Sequence, residues 1–128
     1  MDYIAVDLGA ESGRVMIGSI VNDKLTLKEC HRFPNGPYEA ADGSLRWDWD
    51  KLMGEIKTGL KKAIPQCSGR PAGIGVDTWG VDFGLIGPDG KLLEDPYNYR
   101  DARTNGMMDI AFDKMGKRAV YDNTGIQF

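Results

Sequence analysis

The stretch Asp7-Leu8-Gly9-Ala10-Glu11-Ser12-Gly13-Arg14 constrains the fold of this chain more than any other. It lies between two apolar runs of strand character, Tyr3 to Asp7 and Arg14 to Ile20. An acid at the end of one strand, then two glycines and a serine before the next, predicts a tight hairpin, since glycine lets the backbone turn and approach a ligand closely. Such a turn can hold phosphate oxygens on backbone N–H donors. Ser12 and Arg14 would add donors, and Asp7 could hold a hydrated magnesium ion beside them. The same residues also suit an ordinary glycine-rich hairpin, and spacing alone leaves both readings open. No Walker A loop is present, because Gly-Lys-Ser/Thr does not follow.

The rest of the chain reads as mixed α/β. Lys24 to Phe33 alternates, with Leu25, Leu27 and Glu29 opposing Lys24, Thr26, Lys28 and Cys30, which predicts a half-buried edge or antiparallel strand. Asn22-Asp23 is the turn before it, so the first three strands form a meander. Pro34 to Arg46 reads as a loop with a turn at Asp42-Gly43. Leu52, Ile56, Leu60 and Ile64 then recur every four residues, widened by Met53 and Ala63, which is a helix pattern. Asp48 or Asp50 caps its start and Pro65 stops it, while Lys57, Lys61 and Lys62 suit a solvated face better than a phosphate site. Further strands are expected at Ala72 to Asp77, Asp82 to Ile86 and Lys91 to Leu93, with a turn at Pro88-Asp89-Gly90. Thr104 or Asn105 is expected to cap a helix carrying Met107, Met108, Ala111, Phe112 and Met115, closed by Gly116, with the methionines as core filler. A last helical turn runs from Lys117 to Asn123 and ends at Gly125.

Composition narrows the functional classes. With 128 residues, one domain is the expectation, and the 41% hydrophobic and 27% charged fractions suit a globular chain with a core. Sixteen basic against nineteen acidic side chains give a net charge of −3, and the pI near 5.1 argues against a nucleic-acid or membrane-surface partner. Two distant cysteines, Cys30 and Cys67, and one histidine, His31, exclude a four-ligand structural zinc site within the chain. The start of the sequence reads as a strand, and no long apolar stretch follows, so a reducing cytoplasm is the expected compartment.

Two further stretches carry chemistry. In Gly75-Val76-Asp77-Thr78-Trp79-Gly80-Val81-Asp82-Phe83-Gly84, acid, hydroxyl, indole and glycine crowd a strand end. That mixture suits a polyol, because carboxylates accept from hydroxyls and an indole covers a sugar's apolar face. It equally suits a buried tryptophan with Asp77 and Asp82 as caps or turn formers. Arg100-Asp101-Ala102-Arg103 is a third polar cluster and reads, alone, as a surface ion pair.

Taken in this order, Asp7-x-Gly9-x-x-Ser12-x-Arg14, the Gly75 to Gly84 segment and the Pro96 to Thr104 segment resemble the FGGY carbohydrate kinases. Within that family the wording is most similar to the rhamnulokinase branch. The similarity extends through Val6 to Ala10, Ser12 to Val15, Asp77 to Phe83, Tyr99 to Asp101, Arg103 to Gly106 and Thr124 to Phe128. The resemblance implies a ribonuclease H-like, actin-like fold of two domains closing over a cleft, and ATP-dependent phosphate transfer to the 1-hydroxyl of L-rhamnulose. By the same resemblance, Ala10, Glu11, Ser12, Gly13 and Arg14 contact the ATP phosphates and Asp7 sits near Mg2+. Gly80 touches the sugar, with Thr78, Trp79 and Asp82 beside it.

Two departures accompany the resemblance. Glu11 stands where the family usually has a small hydroxyl residue, so its carboxylate is expected to face solvent, away from a triphosphate. The chain is also far shorter than family kinases. It is expected to be an amino-terminal piece of the first domain, with the catalytic base and the adenosine pocket beyond Phe128, and so to be inactive alone and to self-associate through exposed core. Two other readings remain: a metal-dependent nuclease of the same core fold, using Asp7, Glu55 and Asp77, and a non-catalytic sugar-binding module.

Overall fold

The computed structural model describes residues 1–127; Phe128, the last residue of the Thr124 to Phe128 similarity, lies outside the described residues. Three strands, β1 (Asp2–Leu8), β2 (Ser12–Val21) and β3 (Lys24–Pro34), form the expected antiparallel meander. Asn22 and Asp23 both take positive φ at the β2–β3 turn, the backbone that a two-residue hairpin requires and that Asn and Asp tolerate best. After two short strands comes helix α1 (Trp49–Ala63), whose start is capped by Asp48 accepting from the Lys51 N–H. The chain then returns through a 3-10 turn holding Pro65 to β6 (Ile74–Asp77), which pairs parallel to β1. The sheet order is β3-β2-β1-β6.

Alternation along β1 sends Ile4, Val6 and Leu8 to one face, where they meet Val15, Ile17 and Phe33 under Leu52 and Ala63 of α1. The helix approaches closely because Gly59 lies against Val15; a Cβ there would overlap that side chain. Asp7 and Arg14 therefore face the side of the sheet away from α1.

Several expectations are corrected. The 34–46 loop contains a two-stranded ribbon, β4 (Tyr38–Glu39) and β5 (Leu45–Arg46), with Gly43 at positive φ in its turn. Asp82 to Ile86 and Lys91 to Leu93 are not strands; a single bridge, Ile86 to Leu92, spans the Gly90 turn, because no neighbouring strand offers them a ladder. Leu25 and Leu27 are 62% and 61% exposed, since the register, shifted at Val15/Met16, pairs them with Ile20 and Gly18 on the sheet face that α1 does not cover, and half-burial holds only toward Phe33. Neither Thr104 nor Asn105 caps α2 (Met107–Met115); Gly106, left-handed at φ 74°, precedes it, and Asp101 caps the short turn before that. Met107, Met108 and Met115 are exposed, so they fill no core here. Gly116 separates α2 from α3 (Lys117–Thr124), and Gly125 ends the latter in a left-handed cap. Among the described residues, no helix is long and apolar enough to cross a membrane.

Candidate functional site

The parallel register of β1 and β6 sets Asp7 directly beside Asp77. It thereby brings the Asp7 to Arg14 turn and the Thr78 to Asp82 segment to the same end of the sheet. Carboxyl ends of parallel strands are where open α/β sheets commonly bind ligands, because the chain leaves the sheet there in opposite directions.

The turn has a defined hydrogen-bond polarity. The Gly9 N–H donates to the Ser12 carbonyl at 3.0 Å and closes the hairpin. Asn35, just past the end of β3, donates its Nδ2 to the Gly9 carbonyl at 2.8 Å. Its backbone N–H reaches the Glu11 carbonyl at 3.0 Å. Three carbonyls of the turn are thus occupied. The N–H groups of Ala10 and Glu11 have no acceptor among the described residues. The Glu11 side chain is exposed, as charge repulsion from a bound polyphosphate would require. Ser12 Oγ accepts from the Arg32 guanidinium at 3.3 Å, and Arg32 in turn is paired with Glu29.

Arg14 is ion-paired to Asp7 across the β1–β2 ladder. Its Nε is buried without an acceptor, which leaves part of the guanidinium's donor capacity unspent. Gly13 has a steric reason to be glycine: a Cβ would fall inside the Phe33 ring that packs across it. Gly9 has a milder one, its Cβ position lying 3.0 Å from the Ser12 carbonyl.

The second segment borders a cleft of about 390 Å³ lined by Leu8, Trp47, Leu52, Val76, Thr78, Trp79 and Asp82 among others. Trp47 and Trp79 stack with ring centroids 3.8 Å apart and planes 18° from parallel. Trp47 Nε1 donates to Asp82 Oδ2 at 2.6 Å, so this carboxylate is committed to positioning the segment. Trp79 Nε1 is buried without an acceptor. Thr78 and Gly80 are exposed, and nothing lies within 4 Å of a Cβ built on Gly80, so that glycine is open to a ligand.

Trp47 and Asn35 escaped the sequence reading. Asn35 stood in an Asn-Gly-Pro string typical of loops, and Trp47 in a stretch read as a helix cap. A signal did exist for Trp47: large aromatics amid aspartates usually bury the ring and give the indole N–H an acceptor. The Arg100 to Arg103 cluster does hold an ion pair, Arg103 Nε to Asp101 Oδ1 at 3.7 Å, but its carboxylate lies inside the fold and not on the surface. Asp101 is buried and accepts from the Leu45 N–H at 2.7 Å and the Arg103 N–H at 2.9 Å, so it ties this segment to β5. Those two backbone donors, the Leu45 one first, hold its carboxyl below the ordinary range.

The three carboxylates of the nuclease reading do not converge. Glu55 sits on the α1 side, bonded to His31 Nε2 at 2.6 Å, while Asp7 belongs to the opposite face. Among the described residues, no three His, Cys, Asp or Glu side chains gather as a metal cage.

No protein-family model matches the chain. It is 47% identical over 126 residues to the rhamnulokinase of Lactiplantibacillus plantarum, and 45% identical over 126 residues to that of Ligilactobacillus salivarius. These matches take in 98% of this chain but 25% and 26% of those proteins, so the chain spans about a quarter of the length of the relatives it matches. Among solved structures, the gluconate kinase of Lactobacillus acidophilus superposes with a TM-score of 0.78 at 15% identity, over 98% of this chain and 25% of that one. The xylulose kinase of the same organism superposes at 0.75 and 14% identity, over 94% of this chain and 24% of that one. At such identities these structures speak for the fold, and the fold is that of the actin-like sugar kinases. The chain is thus similar in sequence to rhamnulokinases and in fold to sugar kinases, over about a quarter of the length of each.

Proposed function

We propose that the protein carrying this chain is an ATP-dependent sugar kinase that phosphorylates the 1-hydroxyl of L-rhamnulose, with these residues forming part of the first of its two domains. The observation that carries this reading is the 47% identity to a rhamnulokinase across 98% of the chain. The geometry of the β1–β2 turn supports it. Two unclaimed N–H groups at Ala10 and Glu11, the Ser12 hydroxyl and the Arg14 guanidinium are the donors that polyphosphate oxygens need, and buried Gly13 lets the turn seat against Phe33.

Magnesium-ATP supplies the transferred group and neutralises charge on it. A magnesium ion that keeps most of its waters needs one or two carboxylates, and Asp7 with its neighbour Asp77 can provide them. Arg14, now held by Asp7, is placed to exchange that partner for a phosphate oxygen. Gly80 lets a sugar approach the backbone, Thr78 offers a hydroxyl to it, and the Trp79 ring is steadied by Trp47. Asp82 acts by fixing Trp47. The proton acceptor for the 1-hydroxyl and the adenosine pocket belong to the remainder of the protein. Positioning and charge neutralisation are what these residues contribute.

The test is coupled ADP release by the complete protein with magnesium-ATP and L-rhamnulose, L-fuculose, D-xylulose, D-ribulose or glycerol. Turnover highest on L-rhamnulose is expected, and none from the 128-residue chain alone. Preference for another ketose would retain the kinase and move the substrate. No turnover on any sugar would overturn the reading in favour of a non-catalytic sugar-binding module.

A further inference from the structure

A phosphate-binding turn must present N–H groups and keep its carbonyl oxygens away from the anion, because each carbonyl dipole repels a phosphate as strongly as an N–H attracts it. Here the carbonyls of Gly9, Glu11 and Ser12 are all occupied, and two of the three are taken by a single residue, Asn35. The third is taken by the turn's own Gly9 N–H. Asn35 reaches the turn from the far end of β3, 26 positions along the chain, and is itself partly buried. Among the described residues the Ala10 and Glu11 N–H groups have no acceptor, and that of Ala10 shares its planar peptide with the Gly9 carbonyl.

We propose that Asn35 is a positioning residue for nucleotide phosphates: its side chain holds the Gly9 carbonyl inward, so that the Ala10 N–H on the other side of the same planar peptide faces the anion, while its backbone N–H fixes the Glu11 carbonyl. The inference rests on the kinase reading above and deepens it. Asn35 touches neither the phosphates nor the sugar, so its loss acts through the turn. The side-chain bond is the part a substitution can remove. Asn35→Asp keeps the size but replaces the Nδ2 donor with a carboxylate oxygen, which would repel the Gly9 carbonyl. Asn35→Ala removes the bond without adding charge. Asn35→Gln restores an amide donor on a longer stem.

The experiment uses the complete protein, with magnesium-ATP and L-rhamnulose affinities measured by calorimetry and backbone amide hydrogen exchange followed across residues 9–13. Loss of one hydrogen bond at a partly buried site predicts magnesium-ATP affinity falling about tenfold in Asn35→Ala and further in Asn35→Asp. Sugar affinity should stay within about twofold, as only the phosphate turn is disturbed. Exchange of the Gly9 and Gly13 amides, which flank the two free ones, should quicken in both variants while the α1 amides keep their protection, and Asn35→Gln should recover most of the ATP affinity. Unchanged ATP affinity in Asn35→Asp would overturn the proposal. So would equal losses for ATP and sugar together with faster exchange throughout the sheet, the mark of a merely structural residue. Failure of the unaltered protein to bind ATP would overturn the kinase reading and the nucleotide role with it. The exchange measurement would then still decide whether Asn35 holds the turn.

Discussion

Asp2 shows how much one surface carboxylate can be held by donors rather than by charge. The Ser68 N–H, the Ser19 hydroxyl and the Ser68 hydroxyl together lower its carboxyl from 3.8 to about 2. The folded value lies below the unfolded one, so the unfolded chain takes up the proton first as the pH falls. The contribution of Asp2 is therefore complete above about pH 4 and disappears between about pH 4 and pH 2. An Asp2→Asn variant should show a flatter loss of stability over that window, read from urea midpoints between pH 2 and 5. Superimposable acid limbs for the two proteins would contradict the assignment. Nothing in the neighbourhood of Asp2 along the chain announces this role, because Ser68 is 66 residues away. Asp7 and Arg14 are different: both stood out from their turn, and the ladder register then placed them opposite one another.

Among the elements, α1 was legible because its apolar spacing of four residues and its capping aspartate agree with each other. What that spacing could not reveal is which helical glycine is needed. Gly54 faces open space, whereas Gly59 is buried against Val15 and His31. Gly54→Ala should stabilise the helix by up to about 1 kcal/mol, the propensity difference at an exposed position. Gly59→Ala should destabilise by about 1–3 kcal/mol, since overpacking outweighs the same gain in propensity. Thermal and urea unfolding of the two variants would show opposite signs, and a stabilised Gly59→Ala would mean that the helix can move off the sheet cheaply. The strands expected at Asp82 to Ile86 and Lys91 to Leu93 failed for a related reason. Alternation marks a segment able to pair, and only a neighbour with free backbone groups turns it into a strand.

At the scale of the molecule, β6 is an edge strand of the sheet among the described residues, and its Ile74 and Val76 are 55% and 61% exposed on the face that α1 covers elsewhere. The Val76 side also lines the apolar cleft that holds Phe83 and Trp79. An unpaired edge next to exposed apolar side chains invites association. The 128-residue chain is expected to form oligomers as its concentration rises, with Val76→Lys reducing them. Light scattering across a concentration series tests this, and a clean monomer throughout would refute it.

Local chemistry by itself determined the meander, its glycine turn and α1 with its cap, and it marked the residues proposed to meet phosphate and sugar. Those features depend on neighbours a few positions apart, where backbone sterics and periodicity act directly. The tertiary structure alone decided that Asp7 stands beside Asp77, that Asn35 turns two carbonyls of the hairpin inward, and that Trp47 takes Asp82 and stacks on Trp79. Each of those contacts joins residues 24 to 70 positions apart, and no periodicity encodes them. The Asp7–Asp77 pair arises when β6 pairs parallel to β1 after the α1 crossover, and the Asn35 contacts when β3 folds back beside β2, because those closures bring the three chain segments to one end of the sheet.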